Sequence, residues 1–476
     1  MKKIEKRLKK TKIICSIGPA SVKPDVMEQM VLSGMNVARI NFSHATIEER
    51  EAVVASVKEV RKRTGANVAI LYDTKGPDFR TGLAPEEGIE LVEGKTIRIV
   101  KEDIIGDINR ITVNYKDALS SIHVGNIVLL EDGLTKLEVI SEEEDGITCK
   151  IINGGLLKSR KGVNVPGVEL GVPFLSDQDR EDIIYACLHE GDFLAISFVS
   201  SKEDILEVRE ILKEYHREDM QIISKVESHT AISNLEDIVL YSDGIMVARG
   251  DLGVEVPMAE LPILQKLMIE KCREYGKICI VATEMLASMY TNARPTRAEV
   301  SDIANAVLDG TDAVMLSGET TIGKYPVEAV SYMAETCLEA EKAYDYDYLF
   351  GSKRKVDVTE VIAKGVVESA NLLNSKVIVA ATMTGYTARK ISNLRPDSVI
   401  LAGCPNEKAA YSVALNWGVY PVSIPELNRT EEVIMACKEK AIEFMELEKG
   451  EAIIITGGFP SKQTQHTNLL RVEVVD

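Results

Sequence analysis

Six short apolar segments of the sequence are each followed by polar or charged residues of the kinds that bind anions and cations. These polar groups are Arg39-Ile40-Asn41-Phe42-Ser43-His44, Asp73-Thr74-Lys75, Lys225-Val226-Glu227, Arg249-Gly250-Asp251, Thr283-Glu284 and Ser317-Gly318-Glu319. If the apolar segments are strands of one closed parallel sheet, their carboxyl ends meet at one rim. Charges gathered at a rim are costly unless they pair or bind a ligand, so the pattern predicts a binding site. The alternative is a set of salt bridges between strands.

Glu227 and Asp251 predict a site for a divalent metal ion. They follow adjacent strands, where two carboxylates can share one hard cation and leave positions for water and substrate oxygens, as Mg²⁺ prefers. Mn²⁺ is the alternative ion. Lys225 is two residues before Glu227 and therefore points to the same side of its strand. A lysine beside a metal can stabilise a transferring phosphoryl group or an enolate; otherwise it is a salt-bridge partner of Glu227.

A second group of side chains is rich in oxygen but carries only one full negative charge, which suits a monovalent cation. Its members are Asn41, Ser43, Asp73 and Thr74. Arg39 offers a planar guanidinium for phosphate or carboxylate, and Arg80 and Lys161 could add positive charge from the segment that follows. His44 is either a general base or, as is more common at a strand end, a hydrogen-bonded structural residue.

Two other segments resemble phosphate sites. Gly318 to Tyr325 nearly matches the P-loop pattern, but Tyr325 stands where that loop needs a hydroxyl for Mg²⁺, so we reject this interpretation. The segment Thr382-Met383-Thr384-Gly385-Tyr386-Thr387 follows an apolar run and opens a helical pattern. Hydroxyls and backbone N–H groups at a helix start can bind an anion, although an ordinary capped turn explains the pattern equally well.

The elements that must position these residues are eight short β-branched segments, each followed by a helical pattern. They span 12–16, 36–40, 68–72, 192–197, 221–226, 244–248, 278–282 and 312–316. Nearly continuous apolar strands that alternate with helices indicate a buried parallel sheet. Eight such units, with one long insertion left out, favour a (β/α)₈ TIM barrel over a doubly wound sheet. We therefore assign residues 1–75 and 173–345 to a catalytic barrel.

The insertion and the C-terminal part read as two further domains. Residues 76–172 contain short alternating segments separated by Gly, Asp and Asn, which predicts a small β-barrel domain placed as a lid over the rim. Residues 351–355 resemble a linker, and residues 346–476 alternate strand and helix patterns, which predicts an α/β domain. Its strands are predicted at 377–381, 399–402, 419–423 and 452–456.

Composition limits the class of protein. The formal net charge of −18 repels polyanions, so nucleic acid and anionic membranes are not expected partners. No apolar run is long enough for a spanning helix, and the apolar run near the N-terminus is too short for a signal peptide. The eight cysteines lack C-x-x-C spacing, which favours buried thiols in a reducing cytoplasm.

The chain resembles the pyruvate kinases over nearly its whole length. The segments that carry the resemblance are 38–44 (Ala38 to His44), 71–77 (Leu71 to Pro77), 223–227 (Ile223 to Glu227), 245–253 (Ile245 to Gly253) and 315–320 (Met315 to Thr320), in the order of the family. The resemblance implies transfer of a phosphoryl group from phosphoenolpyruvate to ADP, which gives ATP and an enolate that is protonated to pyruvate.

The resemblance also implies a role for each matching residue. Glu227 and Asp251 would bind Mg²⁺, while K⁺ would be bound by Asn41, Ser43, Asp73 and Thr74. The catalytic residues would be Lys225, Thr283 and Arg39, which together with Gly250 and Asp251 would also contact the substrate. Nucleotide would be bound by Asn41, His44, Arg80 and Lys161. Asp78 stands where the family often has Glu, which bears on K⁺ dependence.

Regulation and assembly are further implications of the resemblance. A sugar phosphate or nucleotide effector would use Thr382, Thr384, Gly385 and Thr387 in the C-terminal domain, and the protein would form a homotetramer. A second effector loop, Phe459 to His466, has no glycine, whereas the family has a Gly-rich loop there. The chemical identity of the effector is therefore not determined by the sequence. Two alternatives to this function are a metal-dependent lyase or aldolase acting on pyruvate and a non-catalytic regulator that binds a sugar phosphate.

Overall fold

The barrel begins with three parallel strands that lie side by side. The computed structural model describes residues 8–77, 79–346, 357–459 and 466–476. The strands are β1 (Lys12–Ser16), β2 (Val37–Asn41) and β3 (Ala69–Asp73). Ile14 pairs with Val37, and Val37 pairs with Ala69. Nearly every residue of the three strands is buried, as expected for strands covered on both faces.

The insertion after β3 is an all-β domain with one short 3₁₀ helix, Lys116–Ser121. Its strands are β4 (Ile89–Leu91), β5 (Thr96–Val100), β6 (Arg110–Thr112), β7 (Ile127–Leu130), β8 (Thr135–Glu143), β9 (Gly146–Asn153), β10 (Gly155–Leu157) and β11 (Val163–Asn164). β4 pairs with β10, and the others form a sheet in the order β11-β7-β8-β9-β5-β6. Arg80 bridges to Gly162 beside β11 and Thr81 bridges to Val113 beside β6, so the sheet curls until its two edges approach.

The barrel resumes after the insertion and then closes. The remaining strands are β12 (Phe193–Ile196), β13 (Gln221–Val226), β14 (Gly244–Ala248), β15 (Ile278–Ala282) and β16 (Ala313–Leu316). Phe193 pairs with Leu71 of β3, and Ala313 pairs with Lys12 of β1. Within the described ranges the eight parallel strands therefore form one closed barrel, and the predicted (β/α)₈ barrel is confirmed.

Helices cover the outside of the barrel. They are α1 (Pro24–Ser33), α2 (Ile47–Thr64), α3 (Asp177–Leu188), α4 (Lys202–Glu214), α5 (His229–Ser233), α6 (Leu235–Tyr241), α7 (Arg249–Glu255), α8 (Leu261–Tyr275), α9 (Arg297–Asp309), α10 (Gly318–Thr321) and α11 (Pro326–Glu341), with a 3₁₀ helix at Ala287–Tyr290. Several begin with a capping box, in which a Ser or Thr hydroxyl and an acidic side chain satisfy free N–H groups. Thr46 with Glu49 and Thr296 with Glu299 are examples.

The C-terminal domain is a sheet with helices on both faces. Its elements are α12 (Val358–Leu372), β17 (Val377–Ala381), α13 (Tyr386–Ser392), β18 (Val399–Cys404), α14 (Glu407–Tyr411), β19 (Val419–Ser423), α15 (Thr430–Met445), β20 (Ala452–Gly457) and β21 (Leu469–Val474). The order is β19-β18-β17-β20-β21, and β21 is antiparallel to β20. β21 is not predicted from the sequence, because this edge strand is half exposed and alternates weakly. Residues 351–355, the predicted linker, lie outside the described residues.

The interior of the barrel is packed, and the C-terminal domain helps to close it. Ile14, Phe193 and Met246 lie in one buried cluster with other inward-pointing strand residues. Leu415, from the segment after α14, belongs to the same cluster. The domain therefore contributes to the barrel core at the end opposite to the predicted site.

The cysteines are buried, as their spacing in the sequence predicts. All eight cysteines lie in the described ranges as buried free thiols. Among the helices of those ranges, none is both long and apolar enough to cross a membrane.

Candidate active site

Arg39 and Asp73 form an ion pair at the ends of β2 and β3. Arg39 Nε lies 2.7 Å from Asp73 Oδ2, and the same guanidinium donates a 2.7 Å hydrogen bond to Ser16 Oγ at the end of β1. Burial opposes ionisation of Asp73, but Arg39 and Lys225 outweigh it and hold the pKa of this carboxyl below its ordinary value. Three adjacent strand ends thus fix the direction of the guanidinium.

Lys225, near the end of β13, contacts three residues of neighbouring strand ends. Its Nζ lies 2.9 Å from Glu227 Oε1 and 3.3 Å from Asp73 Oδ1. It also donates a 2.7 Å hydrogen bond to Ser197 Oγ, just after β12. Burial acts to lower the pKa of Lys225, but Asp73 and Glu227 outweigh it, so the pKa lies above its ordinary value. The ammonium is therefore a fixed positive charge.

Glu227 is a buried carboxylate whose two oxygens have different partners. Its Oε2 accepts a 2.7 Å hydrogen bond from the Phe198 N–H, while Oε1 makes the ion pair with Lys225 but accepts no hydrogen bond. Burial raises the pKa of Glu227 to about 7, and Asp251 adds to this effect while Lys225 opposes it. Asp73 Oδ1 likewise accepts no hydrogen bond. Two buried carboxylate oxygens thus face one cationic group, the ammonium of Lys225.

A cleft of about 880 Å³ lies between this end of the barrel and the inserted domain. Most of the predicted site residues line it, namely Arg39, Asn41, Ser43, His44, Arg80, Lys225, Glu227 and Asp251. The structure therefore brings the two carboxylates predicted to bind Mg²⁺, Lys225 and the two arginines predicted to bind phosphate to one cavity. The inserted domain lies over the rim, as predicted.

Asn41, Ser43 and Thr74 make local hydrogen bonds beside Asp73. The Ser43 N–H donates to Asn41 Oδ1 at 3.1 Å. Thr74 Oγ1 accepts from the Ser197 N–H at 3.1 Å, and the Thr74 carbonyl accepts from the Ser197 hydroxyl at 2.7 Å. Thr74 is buried and does not line the cleft, whereas Asn41 and Ser43 do. Asp78, which bears on K⁺ dependence, lies outside the described residues.

Thr283 and Gly250 contact each other beside the cleft. The Gly250 N–H donates a 2.9 Å hydrogen bond to Thr283 Oγ1, and this hydroxyl donates to the Ala282 carbonyl at 2.6 Å. Neither residue lines the cleft, but Asp251, the next residue in the chain, does. The ends of β14 and β15 are therefore joined at the cleft edge.

Two residues from the sequence pattern point elsewhere. Lys161 Nζ forms an ion pair with Glu131 inside the inserted domain, and Lys161 does not line the cleft. Its nucleotide role stays a prediction. Glu319 is buried and accepts N–H groups of Leu286 at 3.0 Å and Ser317 at 2.8 Å. Its carboxylate thus accepts hydrogen bonds from the backbone. Of the six polar strand ends, the one at Glu319 therefore has a structural role.

Ser197 and Phe198 belong to the site but were not singled out in the sequence. Ser197 joins Lys225 to the Thr74 carbonyl, and Phe198 presents its N–H to Glu227 with a left-handed backbone, φ 56°. The signal was available for Ser197, because a serine directly follows the apolar segment of β12. No local signal marks a phenylalanine that donates through its backbone.

The predicted effector residues surround a much smaller cavity, of about 70 Å³, in the C-terminal domain. Thr382, Thr384 and Thr387 line it, and Gly385 has φ 79° at the start of α13. Thr387 Oγ1 is 2.9 Å from Thr467 Oγ1. Within the predicted second loop, residues 460–465 lie outside the described residues, while Phe459 and His466 line the cavity.

Comparisons with known proteins agree with this architecture. Residues 8–330 match the family model "Pyruvate kinase, barrel domain", and residues 360–473 match "Pyruvate kinase, alpha/beta domain". A pyruvate kinase of Geobacillus stearothermophilus is 43% identical over 98% of this chain and 80% of its own length. One from Clostridium acetobutylicum is 42% identical over 98% of this chain and all of its own.

A solved structure extends the agreement to three dimensions. The crystal structure of a pyruvate kinase from Cryptosporidium parvum has a TM-score of 0.94 at 37% identity, and the match covers 98% of this chain and 97% of that one. The similarity therefore includes the barrel, the inserted domain and the C-terminal domain together. The chain belongs to the pyruvate kinase family.

Proposed function

We propose that this enzyme transfers the phosphoryl group of phosphoenolpyruvate to ADP in the cleft between the barrel and the inserted domain, with Mg²⁺ and K⁺ as cofactors. The observation that carries the proposal is Lys225, whose side chain is 12% exposed and is held between Asp73 and Glu227 in a cleft whose walls also hold Arg39 and Asp251. Phosphoryl transfer depends mainly on such positioned charges, because the protein makes no covalent bond to the group.

Glu227 and Asp251 fit the proposed Mg²⁺ site. Glu227 Oε1 is buried without a hydrogen bond, and both carboxylates line the same cleft. In the described parts of the chain no three His, Cys, Asp or Glu side chains form a metal site, so substrate and water oxygens would complete the shell. Mn²⁺ has the same preference for oxygen. When bound, the metal supplies Lewis-acid stabilisation of the phosphoryl and enolate oxygens.

The chain's own residues then divide the work. Lys225 places a permanent positive charge against the transferring phosphoryl group, and Arg39, held by Asp73 and Ser16, binds the substrate phosphate. As the bond between phosphorus and the enol oxygen breaks, the phosphoryl group passes to ADP and an enolate remains. Thr283 lies near the face on which that enolate takes up its proton, and Gly250 and Asp251 contact the substrate.

The nucleotide and K⁺ sites form the second part of the proposal. Asn41, His44 and Arg80 line the outer cleft and would bind ADP, and Lys161 would join them only by leaving Glu131. K⁺ would be bound by Asn41, Ser43, Asp73 and Thr74. The support for this assignment is Asp73 Oδ1, a buried carboxylate oxygen that accepts no hydrogen bond and lies 3.3 Å from Lys225 Nζ.

Regulation, assembly and location complete the proposal. A small phosphorylated effector, a sugar phosphate or nucleotide, would bind at Thr382, Thr384, Gly385 and Thr387. The protein would form a homotetramer in the cytoplasm, where its buried thiols stay reduced.

The proposal is tested by pyruvate formation from phosphoenolpyruvate and ADP, coupled to lactate dehydrogenase, with Mg²⁺ and with or without K⁺. We expect turnover that requires Mg²⁺ and increases with K⁺, and we expect Lys225→Met and Glu227→Gln to lower kcat by roughly 10³-fold. Lys202→Met removes a lysine from an exposed ion pair with Asp237 and serves as the matched control. A folded, Mg²⁺-loaded wild type that forms no pyruvate would refute the proposal.

A further inference from the structure

The turn that follows β15 has an unusual backbone. Thr283 has φ 69° and Glu284 has φ 56°, so two consecutive residues adopt the left-handed conformation. This region is unfavourable for residues with a side chain, and especially for a β-branched residue such as threonine. Such a turn persists only where surrounding contacts hold it.

Arg249, the first residue of α7, supplies those contacts. Its Nη2 donates a 2.6 Å hydrogen bond to the Thr283 carbonyl, and its Nε donates to the Ala282 carbonyl at 3.2 Å. One guanidinium therefore binds two successive carbonyls at the strained turn. A planar group with several fixed donors can do this, whereas a lysine ammonium cannot match the same geometry.

Asp302 of α9 holds the guanidinium from the other side. Arg249 Nη1 lies 2.8 Å from Asp302 Oδ1 and 2.7 Å from Asp302 Oδ2. The Arg249 side chain is 11% exposed and the Asp302 side chain 35%, so the guanidinium is shielded from water while the carboxylate is partly open to it. Asp302, on a helix outside the site, thus sets the position of the guanidinium, and the guanidinium in turn holds the carbonyls of the turn.

The turn controls the hydroxyl that faces α7. Thr283 Oγ1 accepts from the Gly250 N–H at 2.9 Å and donates to the same Ala282 carbonyl that Arg249 binds. Release of the turn would move this hydroxyl and the start of α7 together.

We propose that Arg249 and Asp302 are a positioning pair for the phosphoenolpyruvate side of the site. They keep the turn at Thr283 in its left-handed conformation and thereby fix Thr283 relative to Gly250, without touching the substrate themselves. The inference rests on the proposed function, because it takes Thr283 and Gly250 as substrate-contacting residues.

The test is a double-mutant cycle of Arg249→Met and Thr283→Ala, with KM measured separately for each substrate. Arg249→Met lowers kcat/KM for phosphoenolpyruvate by about 10²-fold, as expected for a displaced contact, and changes KM for ADP by less than about two-fold. In the Thr283→Ala background the same change has a further effect of less than about three-fold, because it acts through Thr283. Arg249→Lys retains the positive charge but not the planar guanidinium that binds two carbonyls, so it restores little of the lost kcat/KM for phosphoenolpyruvate.

Arg209→Met is the matched control. Arg209 likewise binds a carbonyl, Tyr241 O at 2.7 Å, and an aspartate, Asp243 at 3.0 Å, but at the other end of the barrel. Arg209→Met should lower the stability of the protein, and it should not affect the kinetic constants for phosphoenolpyruvate more than those for ADP. If Arg249→Met does not fold, Asp302→Asn takes its place in the cycle, with a smaller loss of about ten-fold.

The outcomes separate the inference from the proposed function. A wild type without turnover would refute the function. With an active wild type, an undiminished effect of Arg249→Met in the Thr283→Ala background would overturn the positioning role and leave the function intact. Equal losses for both substrates, or a fully active Thr283→Ala, would overturn it too.

Discussion

The two ends of the barrel both bury charged side chains, yet they satisfy them differently. At the amino-terminal end, Asp312 pairs with Arg395 at 3.0 Å and accepts backbone N–H groups of Cys279 at 3.0 Å and Trp417 at 3.3 Å. Lys12 donates to the Val419 carbonyl at 2.6 Å. Arg395, Trp417 and Val419 belong to the C-terminal domain, so these charges attach that domain to the barrel.

At the carboxyl end the charges meet one another instead. Arg39, Asp73, Lys225 and Glu227 form a chain of ion pairs across strand ends, and Asp73 and Glu227 each keep one oxygen without a hydrogen bond. Three of the four line a large cleft. Burial of charge therefore does not by itself mark a site. A site is marked instead by buried acceptor oxygens that lie next to a cleft without a hydrogen bond, because a bound ligand can supply the missing partner.

The largest expected contrast comes from the same substitution at each end. Asp73→Asn weakens the hold on Arg39 and Lys225 and should lower kcat roughly 10²- to 10³-fold. Asp312→Asn should leave kcat nearly unchanged and lower the free energy of unfolding by roughly 3 kcal/mol, because it removes the carboxylate that neutralises the buried Arg395. Steady-state kinetics and denaturant unfolding measure the two effects. Equal losses of activity would remove the distinction between the ends.

A smaller contrast is expected between two buried serines. Ser197→Ala removes a hydrogen bond to Lys225 and should lower kcat about ten-fold, since the ammonium loses one of three fixed contacts. Among the described residues, the Ser224 hydroxyl has Ser242 Oγ as its hydrogen-bond partner, at 2.6 Å, deeper in the barrel wall. Ser224→Ala should cost about 1 kcal/mol of stability and no activity. A ten-fold loss of activity in both variants would show that general loosening of β13 is the cause.

The smallest expected effect is on the pH dependence of stability. Burial raises the pKa of Glu227 to about 7 and that of Asp192, at the opposite end, to about 6. Since both pKa values are raised above those of the unfolded chain, the stabilisation is present at low pH and is lost as pH rises through about 6 to 7. Mg²⁺ should cancel only the loss of stability that is due to Glu227, because the metal binds the deprotonated carboxylate of this residue.

Thermal unfolding between about pH 5 and pH 8 measures this difference, for which we expect a change in Tm of about 2 °C or more. Glu227→Gln should flatten the part of the decline near pH 7 and abolish the response to Mg²⁺. Asp192→Asn should flatten the part near pH 6 and keep that response. A Mg²⁺ response that survives Glu227→Gln would contradict the metal assignment.

The sequence alone determined the strands and the nature of their ends. Each barrel strand lies within one or two residues of its predicted range, because buried parallel strands need apolar runs and the turns around them need polar residues. The insertion after β3 and the α/β domain are visible for the same reason, since their patterns are local. The proximity of Lys225 and Glu227 is also predictable from the sequence, because residues two apart in a pleated strand point to the same face.

Only the tertiary structure decided which of the polar ends act together. Closure of the barrel places Asp73 beside Lys225, residues that are far apart in the chain, and turns Glu319 toward backbone groups instead of the cleft. The left-handed turns at Phe198 and Thr283 exist because distant side chains such as Glu227 and Arg249 hold them. Lys161 turns to Glu131 for a similar reason. Such contacts depend on the register and closure of the whole sheet, which no local pattern encodes.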